Sequence, residues 1–124
     1  NQTYKGILNN NSKANYFSNT VVSENAQKTE GYQLSKGILL SDNCSFLSKP
    51  ELRIFADDVK CSHGSTIGPV DKSALYYLRS RGINTKQAMK MIISSFIKRD
   101  LQNLNKNAVK KISLNLSDYL NSMV

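Results

Sequence analysis

The chain has 124 residues, enough for one modest core and too few for a second independent one. No apolar run approaches the length of a membrane span and no signal-peptide pattern is visible, so a soluble chain is expected. The formal net charge is +8, but Lys5, Lys13, Lys28, Lys36, Lys49, Lys60 and Lys72 are scattered, and only Lys106, Lys110 and Lys111 cluster. Aromatic residues do not interleave with them, which is the pattern of a solvated basic surface and not of a nucleic-acid site. Asn1-Gln2-Thr3-Tyr4-Lys5 reads like the middle of a strand region, so a piece of a longer protein is expected.

Between residues 4 and 55 the apolar residues fall in short clusters, 4–8, 14–22, 32–40 and 52–55, separated by Asn- and Ser-rich stretches. Within them the alternation is strand-like, as in Tyr16, Ser18, Thr20 and Val22. Ser18-Asn19-Thr20-Val21-Val22-Ser23 resembles Ser35-Lys36-Gly37-Ile38-Leu39-Leu40-Ser41. A recurrence of roughly 15 to 20 residues suits one turn of a β-solenoid, whose stacked parallel rungs would bury the clusters. Asn9-Asn10-Asn11-Ser12, Asp42-Asn43 and Lys49-Pro50 are read as its corners, because Asn tolerates the left-handed conformation that corners use. An antiparallel meander would call for Asn-Gly or Asp-Gly hairpins, and none occurs.

Pro69 closes the strand section, and a helical pattern follows. Asp71 is the expected N-cap of a first helix over 73–81, with Ala74, Leu75 and Leu78 as its apolar stripe and Gly82 at its end. Thr85 is expected to cap a second helix in which Ala88, Met91, Ile92, Ser95 and Phe96 form one stripe, widened by Met89, Ile93 and Ile97. Residues 103–107 break the pattern, and Val109, Ile112, Leu116, Leu120 and Met123 mark a third helix. The organisation expected is mainly β with α: solenoid rungs over 1–69 and a helical domain over 70–124. The helices either cap the solenoid or leave apolar surface for a partner.

The chemistry concentrates in Ala56-Asp57-Asp58-Val59-Lys60-Cys61-Ser62-His63-Gly64-Ser65-Thr66-Ile67-Gly68, which holds the only histidine and one of two cysteines. On a strand, residues i and i+2 share a face, so Cys61 and His63 would present a thiol and an imidazole side by side. The bland alternative is a small buried hydrophobe next to a satisfied structural histidine. A tetrahedral zinc site needs four ligands, and this chain offers these two with only carboxylates and the distant Cys44 to add. The shortfall fits a site completed by another subunit. A Cys–His nucleophile pair is chemically competent, but no third orienting group is evident. Gly64 and Gly68 look like permissive positions around a bend, and no phosphate loop follows, so no bound nucleotide is expected. Cys44 and Cys61 do not make a disulfide framework, and a reducing compartment is expected.

The run from Ile54-Phe55-Ala56-Asp57-Asp58-Val59 to Ile67-Gly68, followed by Asp71 and by Ala74-Leu75-Tyr76-Tyr77-Leu78-Arg79-Ser80-Arg81-Gly82-Ile83, resembles the C-terminal part of the SufB/SufD family of iron–sulfur cluster assembly scaffolds. Lys60-Cys61-Ser62-His63-Gly64 lies nearer the SufD branch. Tyr4-Lys5-Gly6-Ile7-Leu8, Ala26-Gln27-Lys28-Thr29 and Leu39-Leu40-Ser41-Asp42 resemble the preceding rungs. The likeness covers residues 4–83, and beyond them only the helical pattern is shared.

This resemblance implies a right-handed parallel β-helix followed by a small helical domain. It implies a non-enzymatic scaffold that pairs with a SufB-like subunit, with a SufD homodimer as a further arrangement, and that docks a SufC-like ABC ATPase through its C-terminal helices. It implies that Cys61 and His63 are metal ligands contributing to a transient iron–sulfur cluster shared with the partner. No nucleic-acid or membrane partner is implied, and the compartment would be the cytoplasm or an organelle such as the plastid. The rival readings are a thiol-dependent enzyme using Cys61 and His63, and a purely structural solenoid end.

Overall fold

Between Lys13 and Val22 exposed and sheltered positions alternate strictly, and the segment is a strand whose Ala14, Tyr16, Ser18, Thr20 and Val22 turn inward while Phe17 and Val21 face out. It is the second of five in the computed structural model, which describes residues 1–99, 101 and 104–122. The strands are β1 (Gln2–Leu8), β2 (Lys13–Val22), β3 (Glu30–Leu39), β4 (Ser45–Ile54) and β5 (Lys60–Pro69); the helices are α1 (Lys72–Ser80), α2 (Thr85–Lys98) and α3 (Lys106–Ser122). Two compact units result, Asn1–Val70 and Asp71–Val124. The architecture is mixed β/α, with parallel strands and three helices.

Among the described residues no strand pairs with its neighbour in sequence. One sheet has the order β1-β3-β5 and the other β2-β4, all parallel. Gln2 lies opposite Gln33, Lys13 opposite Ser45 and Glu30 opposite Lys60, so each strand meets the next but one. The recurrence expected for a solenoid turn therefore marks the step from one strand to the next, and the pairing interval spans two such steps. The two similar segments around Val21 and Ile38 belong to different sheets and do not pair.

The sheets face one another across a core in which Leu8, Cys44 and Phe46 are buried and Ala14, Tyr16, Leu39 and Ile67 pack around them. Tyr4 stacks on Tyr16 with ring centroids 4.1 Å apart. Further along the strands the interior turns polar: Gln33 is buried and its Nε2 donates to Gln2 Oε1 at 3.1 Å and to Ser18 Oγ in the opposite sheet. Asn10 adopts φ 58°, as expected of a corner asparagine, and so does Lys28 at φ 61°, which nothing in the sequence marks. Lys49-Pro50 is no corner; it lies in the middle of β4. Gly64 and Gly68 likewise sit inside β5 and not around a bend.

The helical unit follows its local signals. Asp71 caps α1, its carboxylate accepting from the amides of Ser73 at 2.8 Å and Ala74 at 3.2 Å. The helix closes with the amide of Gly82 on Arg79 O and that of Ile83 on Leu78 O, and Gly82 takes the positive φ of 83° that this ending needs. The cap of α2 is Asn84, not Thr85: Asn84 Oδ1 accepts from the Gln87 amide at 2.9 Å, and Thr85 is the first helical residue. Its buried face also differs from the expected stripe. Ala88 and Ile93 are fully buried, whereas Met91 is 49% exposed and Ser95 faces out. In α3 the inward residues are Val109, Ile112, Leu116 and Leu120, as the spacing predicts; Met123, and Asn103 at the break, lie outside the described residues. Lys90 Nζ donates to Asn121 Oδ1 at 2.9 Å, joining the middle of α2 to the end of α3.

Candidate metal centre

β5 pairs only with β3, so its other edge has no strand partner among the described residues. Along it Cys61 lies opposite Gly31 and His63 opposite Gln33. Gly31 and Gln33 belong to the inward face of β3, whose Gln33, Ser35 and Gly37 are buried. The same-face geometry expected of an i, i+2 pair is thus realised at the margin of the interior. Cys61 is half-buried and His63 is exposed.

Two neighbours shape this pair: Gly31, which the sequence did not single out, and Pro50, which was expected at a corner. A β-carbon on Gly31 would stand 3.3 Å from Cys61 Sγ, so the missing side chain gives the sulfur its room. Across the interior, His63 Nδ1 lies 2.9 Å from the carbonyl oxygen of Pro50 in β4. That oxygen can only accept, so Nδ1 donates, and in the neutral ring the lone pair is then on Nε2, the arrangement commonly found where an imidazole ligates a metal. The sequence signal for Gly31 is visible only through the register that sets it opposite Cys61.

The other potential ligands are not recruited. Asp57 and Asp58 are exposed in the loop between β4 and β5, where the Asp58 amide donates to Gln27 Oε1 at 2.9 Å and its carbonyl accepts from the Lys28 amide. Glu30 is paired with Lys60 at 3.4 Å. Cys44 is 6% exposed and packs with Leu8 and Phe46. Leu8 is paired with Leu39 at the end of β3, whereas Gly31, the partner of Cys61, stands near its start. At about 3.3 Å per residue the two cysteines lie at opposite ends of the sheet, far beyond the reach of a shared ion or a disulfide, and both are free thiols. Among the described residues no group of three or more His, Cys, Asp or Glu could hold a metal ion. Nor is any helix among them long and apolar enough to cross a membrane.

The first unit thus ends in a strand paired on one edge only, with one thiol and one imidazole on its inward face. The family model for the SUF system FeS cluster assembly, SufBD core domain, matches residues 1–96, and the chain belongs to this family. Among curated relatives it is 41% identical over 95 residues to the iron-sulfur cluster assembly protein SufD of Escherichia coli, an overlap of 77% of this chain and 22% of that protein. It is 40% identical over 96 residues to the chloroplastic protein ABCI7 of Arabidopsis thaliana, covering 77% of this chain and 20% of that one. To the SufD of Plasmodium falciparum it is 31% identical over 111 residues, 89% of this chain and 8% of the relative. The chain thus spans less than a quarter of the length of each of these proteins.

Proposed function

We propose that this chain is the C-terminal part of a SufD-type scaffold subunit, and that Cys61 and His63 are ligands it contributes to an iron–sulfur cluster under assembly. The cluster is cargo, held transiently and shared with a SufB-like subunit that supplies the remaining ligands. The observation that carries this reading is the incomplete ligand pair on a strand with one edge free among the described residues: a thiol given room by Gly31 and an imidazole anchored through Nδ1. A thiolate and a neutral imidazole are competent iron ligands, and two of them fall short of a full coordination sphere. The interleaved parallel pairing of each strand with the next but one supports a right-handed β-helix as the fold of the full-length scaffold.

The protein acts in this reading as a scaffold and not as an enzyme. Its helical unit docks a SufC-like ABC ATPase, supported by the exposed apolar side chains of Met91, Leu114 and Tyr119. The chloroplastic relative is consistent with an organellar setting, and bacterial relatives with the cytoplasm.

The test is co-expression of the full-length protein under anaerobic conditions with its SufB-like and SufC-like partners, as wild type, Cys61→Ser and His63→Ala. Both variants should assemble the complex and lose cluster accumulation. A full cluster yield from either one would remove that residue from the site.

A further inference from the structure

His63 is the single histidine of the chain, and its ring bridges two sheets by reaching from β5 to the Pro50 carbonyl in β4. Position 50 is unusual in its own right. Pro50 lies opposite Ser18 of β2, and β2 is the only strand paired with β4 among the described residues. A proline has no N–H for a ladder, so within a sheet its nitrogen turns away from the neighbouring strand. In an extended strand the carbonyl of a residue turns to the same side as its nitrogen. The Pro50 oxygen therefore points to the free edge of β4, and the donor that meets it there is the side chain of His63.

The consequence for the imidazole is a choice of tautomer. A free neutral histidine exchanges its proton between the two nitrogens, and only the nitrogen without the proton can bind a metal. We infer that Pro50 is a positioning residue: its edge carbonyl holds His63 in the Nδ1–H form and leaves Nε2 as the nitrogen that takes a transition-metal cation. The choice of Nε2 rests on reading His63 as a ligand, but the tautomer does not.

The experiment uses the whole 124-residue chain, labelled with ¹⁵N-histidine, whose one imidazole gives unambiguous signals. The spectra are taken on the high-pH plateau of those signals, where the ring is neutral by measurement. Two-bond ¹H–¹⁵N correlations should then show a protonated Nδ1 and an unprotonated Nε2. The opposite assignment, or the averaged signals of exchanging tautomers, would overturn the proposal whether or not metal binds. Pro50→Ala retains the carbonyl and should retain the Nδ1–H signature; its loss in a folded variant would show that the carbonyl is not what holds the ring. Zinc ions alone then test the free nitrogen. The Nε2 resonance should move while Nδ1 keeps its proton, and either zinc on Nδ1 or no response at all overturns the assignment of Nε2. Cluster accumulation in the complex despite loss of His63 would defeat the scaffold-site reading and leave the tautomer result standing.

Discussion

Gly37 and Phe46 leave no room between them: a β-carbon on Gly37 would fall less than 3.0 Å from ring carbons Cδ1 and Cε1 of Phe46. Gly6, which pairs with Gly37 across the sheet, would place its β-carbon 3.0 Å from the same ring. The two glycines form a floor on which the aromatic side chain of the opposite sheet lies. Gly37→Ala should therefore destabilise the chain by about 1 to 3 kcal/mol, the range for forcing a methyl group into a filled core. Gly68→Ala, with nothing within 4 Å of its β-carbon, is the control and should stay within about 0.5 kcal/mol. Urea denaturation of the two variants checks the difference, and equal midpoints would refute the floor.

The helix starts give a comparison that separates two adjacent residues. Asn84→Ala removes the acceptor of the Gln87 amide and should cost about 1 kcal/mol, as should Asp71→Ala at the start of α1. Thr85→Ala replaces a first-turn residue by a better helix former and should cost far less. Thermal denaturation followed by far-ultraviolet circular dichroism would read the order, and a larger loss at Thr85 than at Asn84 would reverse the cap assignment.

On α2 the large buried side chain is Ile93, 1% exposed, close in sequence to Met91 at 49%. Ile93→Ala should destabilise by about 2 to 5 kcal/mol, through lost burial and the cavity left behind. Met91→Ala should remain within about 0.5 kcal/mol of wild type. Should Met91 prove the more costly, the helix would be rotated from the face described.

The two thiols should differ in access. Cys61 is half-buried near the open edge of β5, and Cys44 is enclosed by Leu8 and Phe46. A thiol reagent added to the native chain should titrate Cys61 first and Cys44 only upon unfolding, and Cys61→Ser should abolish the native reaction. Rapid native labelling of that variant would place Cys44 outside the core.

What the sequence disclosed was what short spans encode. Asp71 and Gly82 mark the ends of α1 through bonds reaching no further than a helical turn, and the α3 stripe depends only on helical spacing. The same-face placement of Cys61 and His63 followed from strand geometry in the same way. Pairing partners stood outside that horizon, since β1 meets β3 and β2 meets β4 only across an intervening strand. Asn84 and Thr85 are both good caps, and their bonds, not their propensities, decide between them. Pro50 looked like a corner because proline is rare inside sheets; the free edge of β4 is what admits it. Its bond to His63 joins two sheets, and no local pattern announces it.

The interleaving of the two sheets also constrains how the chain is made. Because each strand pairs with the next but one, β1 waits on the ribosome until β3 has emerged, and β2 waits in the same way for β4. Ordered growth thus keeps two unfinished edges exposed at every stage, one for each sheet. The nascent chain is most vulnerable to wrong pairing during synthesis, and a translational pause after β2, when neither sheet has its first pair, should be more harmful than one after β5, when all three pairings can be in place.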